Sequence, residues 1–321
     1  MGAHGAHEHS HDHAERVDEA LEGSAAGIRT VKVSLAVLLV TAAAQVAIVA
    51  ISGSVALLAD TVHNITDALT AIPLWIAFAL ERRRPTRRYS YGFERAEDLA
   101  GVLIVAVIAA SSGFAAWEAI RRIAEPLEID HLPWVMAAAI VGFAGNELVA
   151  VYRIRTGRRI GSAALVADGH HARTDGLTSL GVLAGAIGAA AGFERADPVA
   201  GLAITAAILV VLWQASRSVV RRILDGTDDT TVLMLESVAG GVPGVEHVTS
   251  AKARWTGHAL NAELEIMVDP AMSVQEAHRI AEEVEHELLH AIARLRGVTV
   301  HVDPHDHGPH YAGPMAHHRE A

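Results

Sequence analysis

The chain has 321 residues, of which 51% are hydrophobic and only 4% aromatic, and its formal net charge is −11. It has no cysteine, which excludes disulfide bonds and thiolate metal sites. Its apolar residues form blocks that are too long for the core helices of a soluble domain, because about 20 apolar residues are enough to cross a bilayer.

Six apolar segments are predicted to span a membrane: 31–52, 55–80, 98–120, 133–152, 162–192 and 198–220. Lys and Arg are concentrated on one side of these segments, in 81–88, 153–159 and 216–222. Because cytoplasmic loops carry the excess of Lys and Arg, both termini are predicted to be cytoplasmic. We therefore expect an integral protein of the plasma, or bacterial inner, membrane with a transmembrane domain at 28–225.

The composition changes after this domain, and residues 226–304 follow the order αββαβ. The segment 259–268 alternates apolar and polar residues as a strand does, and an amphipathic helix follows Ser273, a typical helix cap. This order predicts a small α+β domain. The ends at 1–27 and 305–321 are His-rich, and we interpret them as disordered cytosolic tails that collect metal.

One polar pattern occurs twice inside the apolar segments. Asp60, His63 and Asp67 occupy relative positions 0, 3 and 7 in the second segment, and the fifth segment repeats the pattern at 168–175. On a helix these spacings share one face. Ionisable groups within a membrane span cost a few kcal/mol each on insertion scales, so they normally face a bundle interior and indicate an ion path.

Two such helices offer four nitrogen and oxygen ligands, a number that suits tetrahedral Zn²⁺. The predicted metal site consists of His63, Asp67, His171 and Asp175. The alternative is a structural role, in which these side chains hydrogen-bond to each other or to Ser and Thr between helices.

Asp60 and Asp168 open the two copies of the pattern, and their role stays open. Each either supports the ligand histidine by a hydrogen bond or lies nearer the aqueous entrance.

The sequence resembles the cation diffusion facilitator family of divalent-metal transporters over residues 28–304. The similarity is carried by "SGSVALLADTVHNITDAL", "YGFERAEDLAG", "ALVADGHHARTDGLTSLGV" and "GVTVHVDP". The resemblance implies a homodimer in which each protomer has a six-helix membrane bundle and a cytoplasmic ferredoxin-like domain. It also implies proton-coupled export of Zn²⁺ or a related cation, and no nucleic-acid partner is expected.

The family's transport ligands fall on the four residues chosen above. Two imidazoles in the site favour Zn²⁺, Co²⁺ or Cd²⁺ over the harder Mn²⁺. The sequence does not decide among Zn²⁺, Cd²⁺, Co²⁺ and Fe²⁺.

Two further family features can be compared residue by residue. Some members bind a second metal where this chain has Tyr89 and Phe93, so that site is expected to be missing. Some members also pair charges at the positions of Arg95 and Asp225. The alternative for Arg95 is a membrane anchor on the cytoplasmic side.

In the cytoplasmic domain the resemblance implies a metal site formed by His278, His301 and Asp303. Glu265 stands at the position of another family ligand and can coordinate metal, whereas Thr249 is a poor ligand. The alternative is a solvated polar face of the sheet.

The segment "HELLH" at 286–290 matches the helix motif of zinc proteases. A membrane metalloprotease is therefore the competing hypothesis from another functional class. If Val284 and Leu288 form the buried face of this helix, both histidines point away from it, which argues against a protease. A third hypothesis is a membrane metal sensor, which shares every ligand but transports nothing.

Overall fold

The computed structural model describes residues 5–52, 71–124, 132–193 and 196–304. The chain divides into two compact units. The first contains residues 1–224 and 256–258, and the second contains residues 225–255 and 259–321.

The first unit is helical. Its helices are α1 Gly5–Ser52, α2 Ala71–Glu81, α3 Arg95–Ala124, α4 Leu132–Ile160, α5 Ala163–Ala190 and α6 Ala196–Ile223. Four stretches within α1, α3, α4 and α6 are long and apolar enough to cross a membrane, and α2 is a shorter apolar helix. The second predicted segment, 55–80, is described only from residue 71 onward. Helix α5 carries the charged motif.

Several helices extend beyond the predicted segments. Helix α1 begins at Gly5, within the segment expected to be a disordered tail. Residues 5–27 contain no proline and many good helix formers, so nothing in them stops the helix from extending. Helix α4 continues to Ile160 instead of ending at residue 152. The predicted tail at 305–321 lies outside the described residues.

Helix α5 contacts α2, α3, α4 and α6. Gly169 permits the close contact with α4. A Cβ atom at this position would lie 2.7 Å from Ile154 Cγ1 and 3.0 Å from the Ile154 backbone nitrogen. Any larger residue would push the two helices apart beside the motif.

The second unit has the predicted order αββαβ: α7 Asp229–Gly240, β1 His247–Thr256, β2 Ala259–Met267, α8 Val274–Ala291 and β3 Leu295–Asp303. The sheet order is β1-β2-β3, and β2 and β3 are parallel. A parallel pair requires a crossover connection, which α8 supplies. The apolar side of β2, represented by Leu264 and Ile266, is buried together with Val284 and Leu288 of α8. This unit is the predicted α+β domain.

Helix α8 begins with a capping box. Ser273 Oγ accepts a hydrogen bond from the Glu276 backbone N–H, and the Ser273 backbone N–H donates to Glu276 Oε2. The backbone N–H and the hydroxyl of Ser273 both hold the pKa of Glu276 below its usual value. A lowered folded-state pKa adds stability above the unfolded-state pKa of about 4.3, and this contribution is lost as the pH falls through the folded-state value.

We expect Ser273→Ala to loosen the start of α8, because losing a serine cap costs about 1 kcal/mol of helix stability. Hydrogen exchange at neutral pH, followed by mass spectrometry on the intact protein, should be about fivefold faster in the first turns of α8. Peptides from α7 serve as the internal control. Unchanged exchange in α8 would show that the cap contributes nothing.

Candidate metal centre

Half of the predicted transport site lies on α5. His171 and Asp175 are one helical turn apart, and His171 Nδ1 lies 3.7 Å from Asp175 Oδ1. Their side chains are only 2% and 12% exposed. Helix geometry alone brings this nitrogen and oxygen ligand together. The other half, His63 and Asp67, and also Asp60, lie outside the described residues.

The hydroxyl groups near this half-site bond to the helix backbone. Thr174 Oγ1 donates to the carbonyl oxygen of His171 at 2.6 Å, and Ser179 Oγ donates to the carbonyl oxygen of Asp175 at 3.3 Å. A hydroxyl has one proton to donate. With that proton used on the backbone, Thr174 and Ser179 are poor candidates to donate to the side chains of the half-site.

Asp168, the first residue of the motif, is fully buried and pairs with Arg153 of α4. Arg153 Nη1 lies 3.0 Å from Asp168 Oδ2, and the two side chains are 2% and 0% exposed. Arg153 was expected among the loop cations of 153–159, and its pairing with Asp168 was not predicted from the sequence. A buried carboxylate requires a partner, and Arg153 is the first basic residue after the fourth apolar segment. The need of a buried Asp168 for a basic partner is the one sequence feature that could have indicated this pair.

A second ion pair joins the same two helices. Arg173 Nε and Nη2 donate to the two carboxylate oxygens of Glu147 at 3.1 and 2.7 Å. Such two-point pairs fix geometry as well as charge. Arg153 and Arg173 of these two helices are therefore each paired with a carboxylate on the facing helix.

Of the four predicted ligands in the cytoplasmic domain, the structure groups three on one face of the sheet. Glu265 and His301 are register partners on β2 and β3, and His301 Nε2 lies 3.2 Å from Asp303 Oδ1. His278 lies on α8, where its Nε2 is 3.4 Å from Glu282 Oε1 and its side chain is 70% exposed. The cytoplasmic metal site of Glu265, His278, His301 and Asp303 stays a prediction.

Among the remaining predicted positions, Arg95, Tyr89 and Phe93 make local contacts. Arg95 Nη1 lies 3.4 Å from Asp98 Oδ2, and Asp225, which adopts a positive φ of 55°, belongs to the second unit. The charge pair between Arg95 and Asp225 stays a prediction. The rings of Tyr89 and Phe93 pack with their centroids 4.9 Å apart, and the expected lack of a second metal site there stays a prediction.

The "HELLH" helix has the predicted orientation. Val284 and Leu288 are fully buried, whereas Glu287 and His290 are exposed and His286 is half-buried. The His286 and His290 rings contact each other at a centroid distance of 4.5 Å.

One cluster of potential metal ligands was not predicted from the sequence. Within the described parts of the chain, one set of three or more His, Asp or Glu side chains has its potential ligand atoms all within 4.8 Å of one another, namely Glu81, Glu97 and His258. These residues come from three distant segments. No helix or strand spacing could have indicated them.

Comparison with known proteins gives two family matches. The family model for the cation efflux transmembrane domain matches residues 31–224, and the model for the cation efflux protein cytoplasmic domain matches residues 227–305. A probable cation efflux system protein of Mycobacterium tuberculosis is 57% identical over 94% of this chain and 90% of its own length.

Two named proteins are among the more distant relatives. The manganese efflux system protein MneS of Bacillus subtilis is 26% identical over 90% of this chain and 98% of its own length. The magnetosome protein MamB of Paramagnetospirillum magneticum is 23% identical over 79% of this chain and 86% of its own length.

Among solved structures, a cadmium form of a MamM CTD variant is 31% identical. It covers 24% of this chain and 98% of its own length, with a TM-score of 0.24. The two family models together cover nearly the whole chain outside its ends. The chain therefore belongs to the cation efflux, or cation diffusion facilitator, family, and it is an integral membrane transporter that exports divalent metal cations and not an enzyme.

Proposed function

We propose that this chain exports Zn²⁺ from the cytoplasm in exchange for protons, by alternating access in a homodimer. The transport ligands are His63, Asp67, His171 and Asp175. The observation that carries the proposal is the buried half-site on α5, where an imidazole and a carboxylate lie 3.7 Å apart. The hydroxyl protons of Thr174 and Ser179 are used on the backbone, so these two groups do not donate to the side chains of His171 or Asp175.

The choice of metal follows from the ligand set. Two imidazoles and two carboxylates make a borderline site that suits Zn²⁺, Cd²⁺, Co²⁺ or Fe²⁺ better than Mn²⁺. The similarity to a manganese efflux protein, at 26% identity, makes Mn²⁺ the necessary competitor in any test.

Proton coupling follows from the chemistry of the ligands. Imidazole and carboxylate bind a cation in their deprotonated forms, so metal and proton occupancy of the site are linked. Imidazole titrates near pH 6.5, within the range of physiological gradients. Zn²⁺ entering from the cytoplasm displaces protons from His63 and His171. After the bundle reopens on the other side, protons displace Zn²⁺.

The remaining parts of the proposal rest on charge distribution and on the family resemblance. Arginine-rich segments at 81–88, 153–159 and 216–222 favour cytoplasmic termini, and hence a cytoplasmic second unit. The group formed by Glu265, Asp303 and the exposed His301 is proposed to bind regulatory metal there. Homodimer formation follows the family resemblance.

The test is Zn²⁺ flux into proteoliposomes that hold the full-length protein under an imposed pH gradient. We expect flux that stops when a protonophore collapses the gradient, and slower flux of Mn²⁺ at the same free concentration. Liposomes without protein are the control. Zn²⁺ binding without flux would identify a sensor. Zn²⁺ flux of the same rate with and without the pH gradient would refute proton exchange.

A further inference from the structure

Glu81, Glu97 and His258 form a buried cluster within the first unit. Glu81 ends α2, Glu97 lies in the first turn of α3, and His258 belongs to the segment 256–258. His258 Nδ1 lies 2.9 Å from Glu97 Oε2 and 3.5 Å from Glu81 Oε2. The side chains of His258, Glu97 and Glu81 are 10%, 1% and 3% exposed, so water contributes little to their solvation.

One oxygen of this cluster is unsatisfied. Glu81 Oε2 accepts a hydrogen bond from Ser24 Oγ at 3.1 Å, but the buried Glu81 Oε1 has no hydrogen-bond partner among the described residues. A buried acceptor without a partner is unfavourable and calls for an explanation, such as an ion that the oxygen binds.

The unsatisfied oxygen points toward Gly257, where other oxygens converge. A Cβ atom on Gly257 would lie 3.0 Å from Glu81 Oε1, 3.1 Å from Glu97 Oε2 and 2.8 Å from the Glu94 carbonyl oxygen. Gly257 also has a positive φ of 56°. Glycine at this position therefore lets the backbone approach the two carboxylates closely, and a side chain would displace them.

The surroundings are rich in acidic groups. Asp98 Oδ2 accepts from the Gly257 N–H at 3.4 Å, and Glu94 Oε2 accepts from Thr256 Oγ1 at 2.6 Å. A basic side chain is also close, since Arg222 Nη1 donates to the Gly257 carbonyl oxygen at 2.6 Å. That contact does not place a cation between the carboxylates of Glu81 and Glu97. Buried charges are normally paired or bound to metal.

We propose that Glu81, Glu97 and His258 bind a divalent cation, at a site separate from the transport ligands. Two carboxylates and one neutral imidazole balance the charge of a divalent ion. This mixed nitrogen and oxygen set suits first-row cations such as Zn²⁺, Mn²⁺, Fe²⁺ and Co²⁺. The bound ion holds the end of α2 against the start of α3 and gives Glu81 Oε1 a partner.

The test measures Co²⁺ binding to the full-length protein in detergent, after chelation and dialysis, by equilibrium dialysis and elemental analysis. Glu81→Gln and His258→Gln should each remove one class of bound Co²⁺ or weaken it at least tenfold, since even residues that only support ligands change affinity by about 10–100-fold. Glu94→Gln is the matched control, because glutamine can still accept from Thr256 and leaves the carbonyl oxygen in place.

Two further comparisons keep the result specific. The loss should persist in an Asp175→Ala background, which separates this site from the transport ligands. Thermal unfolding in chelator should show both variants folded, so that lost binding is not lost structure. If folded Glu81→Gln and His258→Gln bind Co²⁺ with the number and affinity of the unmodified protein, the carboxylates share a proton and the proposal is refuted.

Discussion

Replacing Asp175 by alanine is expected to reduce gradient-driven Zn²⁺ flux in proteoliposomes to the level of protein-free liposomes. Asp175 is one of four proposed ligands and is only 12% exposed, so water cannot take its place freely. Removal of a direct ligand should weaken binding by more than the 10–100-fold that supporting residues typically contribute. The site would then bind Zn²⁺ too weakly to be occupied during transport.

Two control variants separate ligation from general damage. Asp229→Ala removes an exposed carboxylate at the start of α7 and should leave the flux unchanged. Asp175→Glu keeps a carboxylate and should retain part of the flux. Full flux in Asp175→Ala would mean that the polar motif of α5 has only a structural role, and the proposed transport site would be refuted.

The second large effect concerns stability. We expect Arg153→Met to lower the free energy of unfolding of the protein in detergent by about 3–5 kcal/mol. The substitution leaves the Asp168 carboxylate buried and unpaired. Unfolding followed by intrinsic tryptophan fluorescence would measure the change. Arg155→Met, an exposed position two residues later on the same helix, is the matched control and should have little effect.

The double variant Arg153→Met with Asp168→Leu separates the cost of an unpaired buried carboxylate from the net contribution of the ion pair. A buried ion pair replaced by apolar side chains of similar volume is often neutral or stabilising, so most of the lost stability should return. If the single variant Arg153→Met is as stable as the unmodified protein, the pair contributes nothing and Asp168 has another source of compensation.

The sequence predicted well those features that depend on local periodicity. The alternation in β2 and the Ser273 cap predicted the strand and helix that the structure contains, because both signals arise from neighbouring residues. The same holds for His171 and Asp175, whose spacing alone puts them on one helical face.

Features that depend on tertiary contacts were not predictable in this way. An arginine at the end of an apolar segment has the same local sequence whether it is solvated or, like Arg153, buried against Asp168. Glu81, Glu97 and His258 meet only because the fold brings three distant segments together. The helical start at Gly5 was not predicted, because a high histidine content is typical of a tail. The segment nevertheless lacks proline, so a helix can extend through it.

The contact between α4 and α5 restricts how the transporter can move. The backbones approach closely at Gly169, and two ion pairs, Arg153 with Asp168 and Arg173 with Glu147, join the helices on both sides of it. Sliding one helix past the other would break both pairs, so we expect α4 and α5 to move together. His171 and Asp175 share α5, so in the proposed transport cycle we expect them to keep their mutual distance and to release the metal when α4 and α5 together separate from the helix that carries His63 and Asp67.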